Sequence, residues 1–302
     1  MTQVLPSNVT DLFASEMIAP EFLLLLADRD GSVLTHPAMM HATGPMGSNV
    51  VWVRHIGLGG YDTLSSTTPG SDIATTAMSD NKTAVTVATR GKRYEMDDLA
   101  QFLVGGLLNP VAFAQDAVIA IAQTVISLAA NVTDGFSATA GSSGVNATWA
   151  NVLAAKATLG VAKANGEMLG LLHPVQWGDL ELDAMSLGIG PAVANPGIVN
   201  TGLGAYKGRQ FGIDFYVSSA VPTANGGADR AGGIWTRGGL CWADVEVEQA
   251  LAADADKRIS LGRGAVEFVR QGLRLASSVV VSHTAGVALG IDDAGVSLIT
   301  DA

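Results

Sequence analysis

The segment from Val50 to Thr89 constrains the fold more than any other. Val50-Val51-Trp52-Val53-Arg54-His55-Ile56 is β-branched and aromatic, and Thr83-Ala84-Val85-Thr86-Val87-Ala88-Thr89 alternates with period two. Between these strand signals lie Gly57, Gly59, Gly60, Pro69, Gly70 and many Ser and Thr residues. The pattern predicts a long two-stranded excursion with a flexible tip. An isolated hairpin is only marginally stable in water because it has no sheet to pack on. One this long is therefore expected to dock on a partner.

The first fifty residues carry no sustained periodicity. Phe22 to Ala27 is a short apolar run, too short to span a bilayer, and Pro37, Gly44, Pro45 and Gly47 follow it. Residues 1–49 read as an extended arm with one short helix that finds its partners outside its own core. Asp97 to Asn131 is the main helical region. Asp98 with Gln101 fits a capping box, and Leu99, Phe102, Leu103 and Leu107 fall at helical spacing. Asn109-Pro110 breaks this helix and starts another, which continues through Phe113, Val118, Ile121, Val125, Ile126 and Leu128. Its apolar run stops short of the roughly 20 residues a membrane helix needs. A long, nearly uncharged helix of this kind is expected to be buried on most sides, with Ile121 in its core.

Beyond a small-residue loop, Ala138 to Gly144, helical spacing returns at Trp149, Leu153, Ala154, Ala157 and Val161, closed by Gly166. Met168 to Pro174 reads as a buried strand and Gln176 to Leu182 as a short helix. Phe211, Ile213, Phe215 and Val217 alternate as a strand, and Gly239 to Ala243 supplies another. The last sixty residues are mostly β, with strand signals at Val245 to Glu248, Ser278 to His283, Gly286 to Ile291 and Gly295 to Thr300. No repeat at a solenoid or propeller period is present.

Composition narrows the function classes. With 48% apolar and 15% charged residues the chain is too apolar for disorder, and its low charge predicts that neighbours cover much of its surface. Its 17 basic residues are scattered against 28 acidic ones, a net charge of −11. Phosphate recognition needs clustered cations, and the tightest group is Arg90, Lys92 and Arg93, so sequence-specific nucleic-acid binding is not expected. An acidic wall enclosing DNA is compatible. The lone Cys241 excludes an intrachain disulfide and suits a reducing cytoplasm. The start Met-Thr-Gln-Val shows no signal-peptide pattern, so the sequons at Asn8, Asn81, Asn131 and Asn146 are read as chance.

The histidines at 36, 41, 55, 173 and 283 lack metal-ligand spacing, and no metal or cofactor site is expected. Cys241, beside Trp242 in an apolar strand, reads as an inert small hydrophobe. Gly141-Ser142-Ser143-Gly144 is similar to the serine-rich loop of amidases without its lysine context, and reads as a flexible loop. Gly57-Leu58-Gly59-Gly60 and Gly188-Ile189-Gly190-Pro191 open no helix and fail as dinucleotide fingerprints. Asp97-Asp98 suits helix capping. Asp254, Asp256, Asp292 and Asp293 suit turns, with cation binding as the alternative.

The order of these pieces resembles the major capsid proteins of tailed bacteriophages, whose Hong Kong-phage-type fold is shared with encapsulin shells. The junction Arg90-Gly91-Lys92-Arg93-Tyr94-Glu95-Met96-Asp97-Asp98-Leu99-Ala100 is similar to the family's passage from strand to spine helix. The Trp149 helix, the strand ending at His173-Pro174 and Gln176-Trp177-Gly178-Asp179-Leu180 resemble the opening of its axial domain. Tyr206 to Ser219, followed by Val221-Pro222, resembles its Gly-rich strand, and Gly295 to Ala302 its ending.

The resemblance implies an α+β fold: arm 1–49, extended β-hairpin loop 50–94, spine helix and peripheral domain 95–144, axial domain 145–243, and a β-rich return at 244–302. It implies a non-enzymatic subunit that self-assembles into the hexamers and pentamers of an icosahedral head around double-stranded DNA, in a virion built in the host cytoplasm. Trp52, Tyr61, Lys82, Arg90, Lys92 and Arg93 are the expected inter-subunit contacts. Some family members crosslink lysine to asparagine. Lys82 lies near the expected loop tip without an identifiable partner, so no crosslink is expected. No charged pro-segment precedes the arm, which implies a separate scaffolding protein, with a portal and a decoration protein as further partners. An encapsulin-like compartment is the alternative within the fold. An amidase-type hydrolase is the alternative outside it, and a secreted surface-layer protein is disfavoured.

Overall fold

Strand-forming sequence sorts into two sheets and one hairpin, and the long strand near the C-terminus organises much of the rest. A computed structural model of the chain describes residues 33, 36–44, 49–56, 80–97, 120, 124, 126–162, 164, 166–186, 206–245, 258–260, 264–271 and 276–301. In chain order the strands are β1 (Met39–Gly44), β2 (Val50–Ile56), β3 (Asp80–Thr86), β4 (Ala88–Asp97), β5 (Thr139–Gly141), β6 (Met168–Leu172), β7 (Tyr206–Gln210) and β8 (Ile213–Val217). They continue with β9 (Thr223–Ala224), β10 (Asp229–Trp235), β11 (Leu240–Val245), β12 (Arg258–Ser260), β13 (Gly264–Gln271), β14 (Ala276–Leu289) and β15 (Gly295–Asp301). Among the described residues two helices, α1 (Trp149–Val161) and α2 (Pro174–Ser186), lie between β5 and β7.

The first sheet runs β1-β11-β14-β13-β12, with β4 also on β14. Sequence reading split β14 at Gly286, but the strand is continuous. Gly286 is where the carbonyl of Thr86 comes closest, and a Cβ there would meet it. The N-terminal part of β14 pairs antiparallel with β13 and β4, and its C-terminal part with β11. β12 and β13 went unread because apolar residues occupy both parities of β13, Ala265 and Val269 against Val266 and Phe268, which blurs the period.

The second sheet runs β5-β15-β10-β6-β8-β7, with β9 on β10, and is covered on both faces. On one face Val152 and Leu159 of α1 and Trp177 and Leu180 of α2 cluster with Phe215, Ile234 and Leu298 of the sheet. The other carries Ile126, Ala129, Phe136, Leu169, Leu171 and Trp235. Strands buried on both faces read as continuous apolar runs, as Met168 to Leu172 does. β10 was missed because Gly232 and Gly233 interrupt such a run. A Cβ on Gly232 would sit 2.7 Å from Gln176 Oε1, so glycine there makes room for α2.

Local rules fix the helices. The Thr148 side chain caps α1 by accepting the Asn151 N–H at 3.3 Å. Pro174 opens α2 at the position where a missing N–H costs nothing, and the helix runs on to Ser186, past the expected Leu182. Gln176, fully buried, accepts the His173 N–H at 3.0 Å, and its amide nitrogen lies 3.1, 3.0 and 2.9 Å from Arg230 O, Leu298 O and Thr300 Oγ1. Phe211 is not part of a strand. With φ of 52° and 82°, Phe211 and Gly212 form the two-residue turn between β7 and β8.

Residues 126–130 are helical, so the C-terminal end of the expected spine helix is present. Thr133 Oγ1 ties that end to the second sheet by donating to Ala231 O at 2.8 Å. The capping box at Asp98 and Gln101, the Asn109-Pro110 break and Ile121 lie outside the described residues. So do Val247 and Glu248, Asp254 and Asp256, both Gly-rich loops rejected as fingerprints, and the arm before residue 33. Asp97 is the last residue of β4, opposite Ala276, not the first of a helix. No helix among the described residues is long and apolar enough to cross a membrane.

Candidate functional site

The expected hairpin exists with full register: β2 and β3 pair antiparallel from Val50–Thr86 to Ile56–Asp80. Its base is not unsupported, as sequence reasoning held. Val51, Val53, Val85 and Val87 are buried against Cys241, Ala243 and Val245 of β11. The alternation that marked the strands is the signature of one face buried on the protein's own sheet. The turn residues 57–79, including Tyr61, lie outside the described residues.

The opposite face is polar, cationic and aromatic. Trp52 is 52% exposed, and the Lys82 ammonium stands 4.5 Å from the centre of its ring. Arg54 is directly opposite Lys82 in the register, and both are exposed. Val87 is the single residue between β3 and β4, and β4 continues with Arg90 and Lys92 on one face and Arg93 on the other, all exposed. Arg90 lies along the strands, donating from Nη1 to Ala285 O at 3.0 Å and Ala88 O at 3.3 Å. Five of the six residues expected to make contacts thus lie on the hairpin and the strand that follows it.

The segment read as the end of an arm, residues 36–44, is instead fastened to both sheets. β1 pairs parallel with β11, Met39 opposite Leu240 through Gly44 opposite Val245. The pairing covers an edge of β11 that would otherwise expose a row of unpaired backbone groups. His41 stacks on Trp242 at 4.0 Å, and its Nε2 is 2.8 Å from Asp244 Oδ1, which also accepts the Thr43 hydroxyl at 3.2 Å.

His36 reaches the other sheet. Its Nε2 lies 3.0 Å from Asp214 Oδ2 in β8 and 4.0 Å from Glu167 Oε2. These three ligand-type groups come within 4.8 Å of one another, an arrangement the sequence spacing of the histidines gave no means to find. The hydrogen bonds say what it does. His36 Nδ1 accepts the Ala38 N–H at 3.1 Å, so the ring proton sits on Nε2 and is donated to Asp214. A cation would need that same Nε2 lone pair. The cluster is built as a link between segment and sheet, completed by the Tyr206 hydroxyl donating to Asp214 Oδ1 at 3.1 Å. Burial and the Asp214 charge push the Tyr206 phenol up to about 12.

The remaining candidates resolve into structural roles. Gly141-Ser142-Ser143-Gly144 is not a free loop. Gly141 ends β5, and Asp229 pins the turn by accepting the Ser143 hydroxyl and the Gly144 N–H, the latter at 3.0 Å. Together with Asn225 Nδ2, these donors hold the Asp229 carboxyl below its ordinary value. The Ser143 hydroxyl therefore donates to a carboxylate that its other hydrogen bonds make a weaker base than usual. Cys241 is fully buried, and burial pushes its thiol up to about 11, away from the reactive thiolate. Asp292 and Asp293 occupy the turn between β14 and β15, where Asp292 accepts the Ser137 N–H at 2.8 Å.

No protein-family model matches the chain, and no curated protein matches it in sequence. Solved structures do match. The capsid of Ralstonia phage GP4 aligns with a TM-score of 0.58 at 11% identity, covering 91% of this chain and 92% of that one. The head structure of Helicobacter pylori bacteriophage KHP40 aligns at 0.57 and 10%, covering 87% of each chain. The chain has the Hong Kong-phage-type capsid fold. The SrpI encapsulin of Synechococcus elongatus PCC 7942 shares it at 0.54 and 12%, over 89% of this chain and 87% of that one. Identity this low shows how little of the fold depends on particular side chains.

Proposed function

We propose that the protein is the major capsid subunit of a tailed bacteriophage, self-assembling into hexamers and pentamers of an icosahedral head around double-stranded DNA. The observation that carries the reading is the match of fold along about nine-tenths of this chain, and of the matched chains, to phage capsid structures. The chemistry is consistent with it. The hydroxyl and thiol considered as nucleophiles are hydrogen-bonded or buried, whereas the hairpin presents an exposed aromatic and cationic face.

In this reading Trp52, Tyr61, Lys82, Arg90, Lys92 and Arg93 contact neighbouring copies. A row of modest contacts repeated around a shell becomes strong through multivalency. Scaffolding, portal and decoration proteins are the expected partners, the virion is the destination, and assembly takes place in the host cytoplasm. The encapsulin-like reading is supported by the SrpI alignment, and particle content separates the two: packaged DNA supports a head, protein cargo a compartment.

Negative-stain microscopy of the full chain, expressed with and without the product of a neighbouring scaffold gene, tests the proposal. Closed shells are expected. Deleting residues 57–79 should leave a soluble, folded protein that builds no stable shell, and wild-type-like particles from that deletion would count against the contact role of the loop.

A further inference from the structure

The outward face of the hairpin contains an arrangement that a solitary molecule would avoid. Arg54 and Lys82 stand directly opposite each other on the exposed side, and like charges in that position destabilise a strand pair. Arg54, Lys82 and Arg90 make no ion pair with a described residue, although the chain has 28 acidic residues against 17 basic ones. The ring of Trp52 lies beneath the Lys82 ammonium, giving the face an apolar floor as well as charge.

A complementary surface exists elsewhere on the same chain. The turn at Thr133–Gly135 packs against Leu289, and Ser137 donates to Asp292, so the acidic turns at Asp134 and at Asp292–Asp293 adjoin. Asp134 and Asp293 are exposed, and neither carboxylate bonds to another described residue. The acidic side chains of α2 are committed: Asp179 and Asp183 accept the Ala147 and Trp149 N–H groups, and Glu181 accepts the Trp177 indole.

We infer that the cationic face of Trp52, Arg54, Lys82 and Arg90 docks on the acidic corner of Asp134, Asp292 and Asp293 in a second copy of this chain. The contact is heterologous, with two different patches meeting, and contacts of that kind form closed rings where the rotation between copies closes. Charge complementarity selects a copy of the chain over nucleic acid, since a molecule of net charge −11 repels a polyanion. Single exposed ion pairs are weak and screened by salt, so the contact makes assembly reversible and salt-dependent before the repeated copies add up.

This inference rests on the shell-subunit reading, and charge reversal with compensation separates the two. In the full chain, Arg54→Glu with Lys82→Glu should raise the protein concentration needed for shells about tenfold or more while circular dichroism and melting stay those of the parent. Adding Asp134→Lys with Asp293→Lys in the same chain should restore assembly. Arg54→Gln with Lys82→Gln should shift the concentration less, and should flatten the salt dependence of assembly whether or not the reversal variant folds. Shells unaffected by the reversal, or lost without rescue, would overturn the pairing. Intact shells that lose only their nucleic acid would also overturn it, in favour of phosphate contact. Failure of the parent chain to form shells under any condition would instead strike the shell-subunit reading itself.

Discussion

Gly286→Ala tests the way the hairpin is seated. Gly286 lies in β14 beneath the hairpin, and a Cβ there would meet the carbonyl group of Thr86, with the carbonyl carbon at 2.8 Å and Val85 Cγ1 at 3.2 Å. Optimal separations are about 3.5–4.0 Å, so relief requires a shift on the order of 1 Å. The obstacle is backbone, which cannot rotate away as a side-chain tip could. The hairpin base must therefore lift, loosening Val51, Val53, Val85 and Val87 from the sheet. Overpacking of this kind costs about 1–3 kcal/mol. At about 2 kcal/mol the melting temperature of a chain this size should fall by about 4–8 °C.

The assay is calorimetry joined to amide hydrogen exchange. Exchange should quicken in β2 and β3 and stay unchanged in β6 and β10, which belong to the other sheet. Gly178→Ala is the control. Gly178 sits inside α2 with nothing within 4 Å of the added Cβ, so it should raise stability by up to about 1 kcal/mol through helix propensity alone. A Gly286→Ala protein with the parent's melting temperature and unchanged exchange in residues 50–56 and 80–86 would refute the close backbone seat.

Further outcomes are open to measurement. Gln176→Leu keeps the volume but strands the His173 N–H and the carbonyls of Arg230 and Leu298, and should cost about 3 kcal/mol in denaturant unfolding. A loss below about 1 kcal/mol would show that water replaces the amide. Asp229 has a depressed folded value, so its contribution is complete above its ordinary 3.8 and drains away as pH falls towards the lower folded value. Asp229→Asn should melt earlier than the parent at neutral pH, with the difference narrowing below pH 3.8; a gap constant down to strong acid would contradict this. Tyr206 carries the opposite sign. Raised from 10.0 to about 12, it contributes stability that is present below pH 10.0 and lost as pH climbs towards 12. In ultraviolet titration of the native protein, Tyr206→Phe should remove a late-ionising phenol, and a parent whose tyrosines all titrate near pH 10 would exclude the Asp214 hydrogen bond as drawn.

What could be read from the sequence follows from how local its cause is. β2 was placed to the residue because one face is buried and the period-two pattern records that directly. The Trp149 helix was legible as a helix, but its buried face was not. Of the expected set only Trp149 is buried, and Leu153, Ala154, Ala157 and Val161 are exposed. Val152, Ala155 and Leu159 pack inward instead, because the apolar residues of this segment occur all round the helix. The misses have non-local causes. Glycines hide β10 because the space they leave is filled by Gln176 and Thr133, distant in sequence. The loop Ser142 to Gly144 looked free because its anchor, Asp229, lies 85 residues beyond Gly144. His36 looked isolated because its partner Asp214 is 178 residues away. Collinear order of elements survived all of these gaps. That is why the fold could be inferred while the linking side chains could not.

The described core also changes where the drive to assemble must come from. Had the hairpin and residues 36–44 lacked partners within the chain, copies would have to complete one another merely to fold. Instead both are seated on their own molecule, by the valines around Cys241 and by the His36 and His41 links. The second sheet is covered on both faces by the chain itself. Self-contained packing of this kind predicts a subunit that is folded before it is assembled. In the proposed shell, the energy of assembly comes from surfaces left over after folding, among them the face where Arg54 and Lys82 meet and Trp52 stands in solvent. A subunit kept soluble at low salt by reversing those charges should therefore melt like the parent subunit. Unfolding or a molten state in such a variant would mean that the core is shared between copies after all.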